Sequence, residues 1–270
     1  MEDFVELDVI GRGAFGTVTL CHRKSDKNLL VLKEIQPQDK PEITEEEVKV
    51  VSSFNHPLIV RFFGRFMQKN SMFIIMEYMP GGSLWHYLKG RKGNLLPQEQ
   101  VVRLFAQLVI AVEHIHSRKV LHRDIKPKNC LLSADHSIIK IGDFGISKFL
   151  ESSRSRSGSI VGTPEYFSPE LCRGEAYGRK SDVWALGCVL YEMMTLTRPF
   201  HATSVPGLAI KILSGEVKPP DAQKYSEILR QLRKDMMHPE PSERVGIRAC
   251  AACPLVAVEI VRLACTLGRA

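Results

Sequence analysis

The sequence predicts an α+β chain of two lobes, a small mainly-β N-lobe followed by a larger mainly-α C-lobe. Three observations carry that expectation. The first 35 residues alternate or run apolar, broken by glycines and by the turn "KSDKN", as strands do. The stretch "MPGGS" at 79–83 interrupts the pattern and marks the boundary between lobes. Beyond it the apolar residues recur at helical spacing.

Taken in order, "VELDVIGRGAFGTVTLCHRKSDKNLLVLKEI" reads as strands. A short helix is expected near Thr44 to Phe54, then strands around "IVRFFGRFM" and "SMFIIMEYM". Val101, Leu104, Phe105, Leu108, Val109, Val112 and Ile115 make one apolar helical stripe, started by Pro97. "SDVWALGCVLYEMMT", from Ser181, is apolar almost all round and should be a buried central helix with a Ser or Asp cap. "ESSRSRSGS", 151–159, reads as a Ser/Arg-rich loop.

Composition bounds the partners. The chain has 270 residues, 44% of them hydrophobic, enough for a sizeable core. Its net charge of +7 suits anionic ligands such as nucleotides. The basic residues are scattered, apart from a small cluster at Arg154 and Arg156, so no nucleic-acid partner is expected. No apolar run approaches the roughly 18 residues of a membrane span, and the start "MEDFVELDVI" is acidic, unlike a signal peptide. Neither a membrane partner nor an export signal is expected. Seven cysteines without pattern point to a reduced, intracellular, cytoplasmic chain. Cys250 and Cys253 form a lone CxxC and read as packed side chains rather than zinc ligands.

The stretch "VLHRDIKPKNCLL", Val120 to Leu132, gathers Asp124, Lys126 and Asn129 between apolar flanks. After it, "CLL" and "IIKI" surround the turn "SADHS", a hairpin expected to centre near Asp135. That register sets Asn129 opposite Ile141, with Asp143 on the same face about 7–8 Å away or less. Asn129 and Asp143 could then share a hard cation, and their oxygens suit Mg²⁺. Asp124 remains beside them as a candidate base. Upstream, "IGRGAFGTV" carries Gly11, Gly13 and Gly16, followed by β-formers including Val18. A glycine hairpin between two strands lets backbone N–H groups approach phosphates. Lys33, in "LLVLKEI", would bring a positive charge to them.

With these pieces in order the chain resembles a protein kinase. The sequence runs from the glycine loop to Lys33, "HRDIKPKN" (122–129), "DFG" (143–145), "SPE" (168–170), "SDVWALG" (181–187) and Arg244. The segments "DFGIS", "GTPEYFSPE" and "KILSGEVKPPDAQKYSEILRQL" are similar to the NIMA-related (never-in-mitosis) serine/threonine kinases.

The resemblance implies a bilobal protein kinase fold, with residues 1–78 as the N-lobe carrying the ATP-covering sheet. Residues 79–270 would be the C-lobe with catalytic and activation loops, atypical over 245–270. It implies ATP and Mg²⁺ as cofactors, protein substrates as partners, and transfer of the γ-phosphate to Ser or Thr. Asp124 would be the catalytic base and Lys126 would steady the γ-phosphate. Lys33, paired with Glu47, would grip the α/β-phosphates. Asn129 and Asp143 would hold the metal. Ile10, Gly11, Gly13, Gly16, Val18 and Val31 would cover the nucleotide, and Leu131 would support it from below. Met76 would be the gatekeeper, with Glu77 to Met79 as the hinge that takes the adenine. Phe62, Val51, His122 and Phe144 would stack as a spine, while Asp182 and the Glu170–Arg244 pair brace the C-lobe. Phosphorylation of Ser159, near Thr163, would activate the chain through Arg123. A scaffold without turnover usually lacks the Lys, Asp or Asn of this set, and all are present.

Overall fold

The computed structural model describes residues 3–13, 16–35, 52, 54–69, 71–143 and 164–266. The chain divides into two compact units, the first ending at Pro80 and the second taking in the described residues from Gly81 on. The helix expected near Thr44 to Phe54 lies, except for Ser52 and Phe54, outside the described residues, as does the Ser/Arg loop 151–159.

The first unit is a five-stranded antiparallel sheet in the order β1-β2-β3-β5-β4. Its strands are β1 Phe4–Gly13, β2 Gly16–Arg23, β3 Leu29–Ile35, β4 Phe62–Gln68 and β5 Ser71–Glu77. Between β2 and β3 the Asp26 carboxylate accepts from the Asn28 main-chain and side-chain nitrogens at 3.1 and 2.7 Å, closing the turn around Lys27, whose φ is 60°. Register sorts the side chains onto two faces. On one, Cys21, Leu30 and Leu32 are buried beneath Phe4, Phe66, Phe73 and Ile75. Phe66 stacks on Phe73 with centroids 5.1 Å apart and on Phe4 at 6.0 Å. The opposite face buries Ile35, Met72 and Ile74 against Phe62 and Met76. Each fully buried aliphatic side chain contributes about 1.5–3 kcal/mol.

The second unit is mainly helical: α1 Leu84–Gly90, α2 Gln98–Ser117, α3 Pro169–Cys172, α4 Arg179–Thr195, α5 Val205–Ser214, α6 Glu227–Met236, α7 Ile247–Ala252 and α8 Pro254–Thr266. A two-stranded antiparallel ladder, β6 Cys130–Leu132 with β7 Ile139–Ile141, sits among them. The apolar stripe of α2 is buried along its length, and Pro97 is the residue preceding the helix rather than its first turn. α4 is the central helix, buried from Ser181 to Met194. Trp184 stacks on Phe200 at 5.8 Å within a cluster that includes Cys188, Tyr191 and Met237. Gly187 is needed there, because a Cβ would press to 2.8 Å from Met237 Cγ and 3.0 Å from Met236 Cβ. The expected Ser or Asp cap of this helix is corrected. Gly178 stands at the cap position, and Ser181, in the first turn, accepts its N–H at 3.1 Å. Asp182 is thereby left for a different task.

The register of the β6–β7 hairpin also differs from expectation. Cys130, not Asn129, pairs with Ile141. The turn carries one more residue than a centre at Asp135 allows. Ser133 N–H donates to Ile138 O at 2.9 Å, and His136 takes a left-handed φ of 56° between them. Asn129 belongs to a 3₁₀ turn, Pro127–Asn129, and its carbonyl accepts the Gly142 N–H at 2.8 Å.

All seven cysteines are free thiols. Burial pushes the Cys250 thiol up to about 12. Among the described residues no helix is long and apolar enough to cross a membrane.

Candidate active site

The polar loop is positioned from beneath by Asp182 at the start of α4. This carboxylate is fully buried. It accepts from the His122 and Arg123 main-chain N–H groups, both at 3.0 Å, from His116 Nε2 at 2.8 Å, and from the Tyr177 hydroxyl. Burial alone would raise its pKa. The His116 hydrogen bond and neighbouring imidazoles outweigh that and hold it below the ordinary carboxylate value. The arrangement fixes Arg123 at a left-handed φ of 65°, a conformation that costs a non-glycine residue on the order of 1–3 kcal/mol.

His122 is buried at 1% exposure. Its Nδ1 accepts the Asp124 N–H at 3.2 Å, so Nε2 carries the proton and donates to Gly142 O at 3.2 Å. Burial lowers its pKa despite the nearby Asp182 and Asp124. A neutral imidazole thus ties the polar loop to the strand that precedes Asp143. From the other side, Gln107 on α2 donates to Ser137 O at 2.9 Å and accepts from Ile139 N at 3.0 Å, which anchors the hairpin.

Asp124, Lys126 and Asn129 converge. Lys126 Nζ lies 2.8 Å from Asp124 Oδ2. Asn129 Nδ2 donates to the same oxygen at 2.9 Å and to Asp124 O at 2.8 Å. With its amide nitrogen engaged, the side-chain oxygen of Asn129 is left as an acceptor. Asp143, next in chain to the Gly142 that bonds Asn129, is exposed and held at φ 54°. Two hard oxygen donors at adjoining positions fit a small divalent cation that completes its shell with water and phosphate. No cluster of three or more His, Cys, Asp or Glu ligands occurs among the described residues.

In the first unit, register brings the other expected residues to a single sheet face. Gly11 opposes Val18, Val18 opposes Lys33, Lys33 opposes Ile74, and Val31 opposes Met76. Gly13 pairs with Gly16 at the hairpin end. Gly16 has φ 132°, and a Cβ there would run into the Glu34 carbonyl, so only glycine fits. Ile10 lies at a register shift in β1 and is 45% exposed. Glu77 ends β5, donating its N–H to Arg61 O at 2.9 Å, and Met79 is buried. In the second unit, Leu131 on β6 bridges Ser83. Glu47, Val51, Phe144, Ser159 and Thr163 lie outside the described residues.

The bracing pair is built fully. Arg244, 1% exposed, grips Glu170 with both terminal nitrogens at 2.9 Å. Its remaining donors go to the carbonyls of His238, Lys180 and Pro239, so all five N–H groups are used. Burial would raise the Glu170 pKa, but hydrogen bonds from Arg244 and Ser181 bring it down to about 2.

Sequence reasoning missed His116, Tyr177 and Gln107. His116 and Gln107 sit on the buried side of an otherwise apolar helix, and a polar residue in such a place must have a partner. That was their available signal.

A family model described as a protein kinase domain matches residues 4–256. This chain belongs to the protein kinase family. Within it, the chain stands with the NIMA-related serine/threonine kinases. It is 41% identical, over 99% of its length, to the serine/threonine-protein kinase Nek8 of Danio rerio, and covers 39% of that protein. It is 36% identical over 97% of its length to Nek5 of Mus musculus, of which it covers 42%. It is 32% identical over its whole length to nekl-2 of Caenorhabditis elegans, of which it covers 78%. The chain therefore spans about two-fifths of the length of the first two relatives. Among solved structures, Rad53 1–466 in complex with AMP-PNP superposes with a TM-score of 0.80 at 27% identity, over 94% of this chain and 65% of that one.

Proposed function

We propose that this chain is the catalytic domain of a Mg²⁺/ATP-dependent protein serine/threonine kinase. Its N-lobe would be residues 1–78 and its C-lobe 79–270. The observation that carries the reading is the convergence of Lys126 and Asn129 on Asp124. A carboxylate held by a cation and an amide, in a loop pinned by a buried Asp182, is a positioned proton acceptor rather than a solvated turn residue.

In the reaction, a Ser or Thr hydroxyl oxygen bonds to the γ-phosphorus of ATP while the bond from that phosphorus to the β–γ bridging oxygen breaks. ADP leaves, and the hydroxyl proton passes to an Asp124 oxygen. Lys126, beside that oxygen, offsets charge on the transferring group. Asn129 and Asp143 would hold Mg²⁺, which when bound neutralises phosphate charge. On the sheet, Ile10, Gly11, Gly13, Gly16, Val18 and Val31 would cover the nucleotide. Lys33, paired with Glu47, would hold its α/β-phosphates, and Met76, Glu77 and Met79 would frame the adenine, with Leu131 beneath. Phosphorylation of Ser159, close to Thr163, would raise activity by pairing with Arg123. Free thiols throughout support a reducing, cytoplasmic setting.

The test is the purified chain with Mg²⁺, labelled ATP and generic protein substrates. Label on Ser or Thr, dependent on a divalent ion, is expected. Label on Tyr, or none on any protein including the chain itself, would defeat the proposal.

A further inference from the structure

We propose that Trp85, Lys89 and Lys128 form a subsite for an acidic or phosphorylated residue of the protein substrate. This rests on the kinase reading above. Trp85, on α1, is partly exposed. Lys89 Nζ lies 4.9 Å from its ring centroid and Lys128 Nζ 5.1 Å. Lys89 stands one helical turn along α1. Lys128 comes from the 3₁₀ turn and immediately precedes Asn129, whose amide holds Asp124. His86 meets the indole edge-on at 4.8 Å and is itself bonded to Ser83 Oγ, which fixes that side of the ring.

The ring face attracts each ammonium, but the two cations repel one another. Neither has a carboxylate partner among the described residues. α1 and the 3₁₀ turn, "LWHYLKG" and "PKN", contain no acidic side chain. Of the carboxylates that flank Lys128 in sequence, Asp124 is taken by Lys126 and Asn129, and Asp135 by Ser133 and Ser137. Among the described residues the positive charge on this ledge is therefore uncompensated. An anionic group bound beside the ring, within reach of either lysine, offsets that repulsion, and the indole offers apolar surface to its methylene stem. Because Lys128 shares the loop of Asp124, the proposed acceptor of the hydroxyl proton, the bound anion belongs to the same polypeptide that presents the acceptor. Lys89 and Lys128 are then specificity-determining residues.

The experiment uses a neutral Ser/Thr acceptor peptide and a set in which glutamate or phosphoserine is moved through each flanking position. At one position the anion is expected to raise kcat/KM about fivefold, mainly through KM, consistent with two solvent-exposed ion pairs. The gain should shrink at high salt. It should vanish in Lys128→Ala and turn into a preference for lysine in the Lys89→Glu/Lys128→Glu chain. Turnover of the neutral peptide tests the kinase reading separately. Binding of the fluorescently labelled peptides, followed by anisotropy, tests the subsite even without turnover. Equal affinity and equal kcat/KM for acidic and neutral peptides at every position would overturn the proposal. So would an acidic preference that survives the double charge reversal.

Discussion

The Asn129 side-chain amide donates both to the Asp124 carboxylate, at 2.9 Å, and to the Asp124 main-chain carbonyl, at 2.8 Å. The contact couples the proposed base to the proposed metal ligand, so one substitution perturbs both. Asn129→Ala should lower kcat at least tenfold and raise the Mg²⁺ concentration needed for half-maximal rate. Asn129→Asp keeps the oxygen but sets a second carboxylate beside Asp124, which should move the acid limb of the pH–rate profile upward. A magnesium titration of both variants checks this; an unchanged midpoint in Asn129→Ala would remove Asn129 from the metal site.

The Glu170–Arg244 pair should be the most fragile polar contact of the helical unit. Arg244→Ala strands a buried carboxylate and the carbonyls of His238, Lys180 and Pro239 and should cost about 3–5 kcal/mol. Arg244→Lys should recover little, because an ammonium cannot reproduce the two-pronged contact. Urea unfolding of the three chains measures it. A loss under about 1 kcal/mol would mean that water replaces the pair.

Glu192 should make stability depend on pH near neutrality. Burial pushes its carboxyl from 4.5 up to about 7, although the Tyr166 hydroxyl donates to it at 2.6 Å. The folded chain holds this proton more tightly than the unfolded one. Its contribution is therefore complete below about pH 4.5 and is lost as pH rises through about 7, a loss on the order of 3 kcal/mol. Glu192→Gln cannot ionise, yet still accepts from Tyr166. Thermal unfolding between pH 5 and pH 8 should show a step in the parent chain and a flatter profile in the variant. Identical profiles would refute the buried-acid account.

Ser159→Ala should lower activity where Ser159 is occupied by phosphate in the parent chain. In Arg123→Ala the same modification should have no effect, since the main chain of Arg123 is pinned by Asp182 and its guanidinium is the expected receiver. Mass spectrometry of the site alongside rate measurements decides it; equal rates for parent and Ser159→Ala would exclude the regulation.

Much of this was legible in the residues. Period-two patterning marked the strands, and the glycines found the β1–β2 hairpin, because Gly16 sits where a Cβ meets backbone. The stripe from Val101 to Ile115 marked α2, since its burial is periodic. What escaped depended on single residues in turns. A one-residue error in the hairpin came from His136, whose left-handed conformation lengthens the turn without any glycine to announce it. Gly178 took the cap position expected of Ser181 or Asp182, because Asp182 serves His122, Arg123, His116 and Tyr177 instead. Such long-range polar partners carry no periodic signal. The contact of Lys128 with Trp85 spans two segments far apart in sequence and was invisible for the same reason.

The central claim is that Asp124 accepts the proton of the attacking hydroxyl. The most direct measurement is single-turnover phosphoryl transfer in Asp124→Asn, with nucleotide affinity measured on the same preparation. Asparagine keeps the size and the hydrogen bond from Lys126 but cannot take a proton. The account predicts ATP·Mg²⁺ binding close to that of the parent and transfer slower by about 10²–10⁴-fold. Transfer at the parental rate, with nucleotide bound, would contradict it.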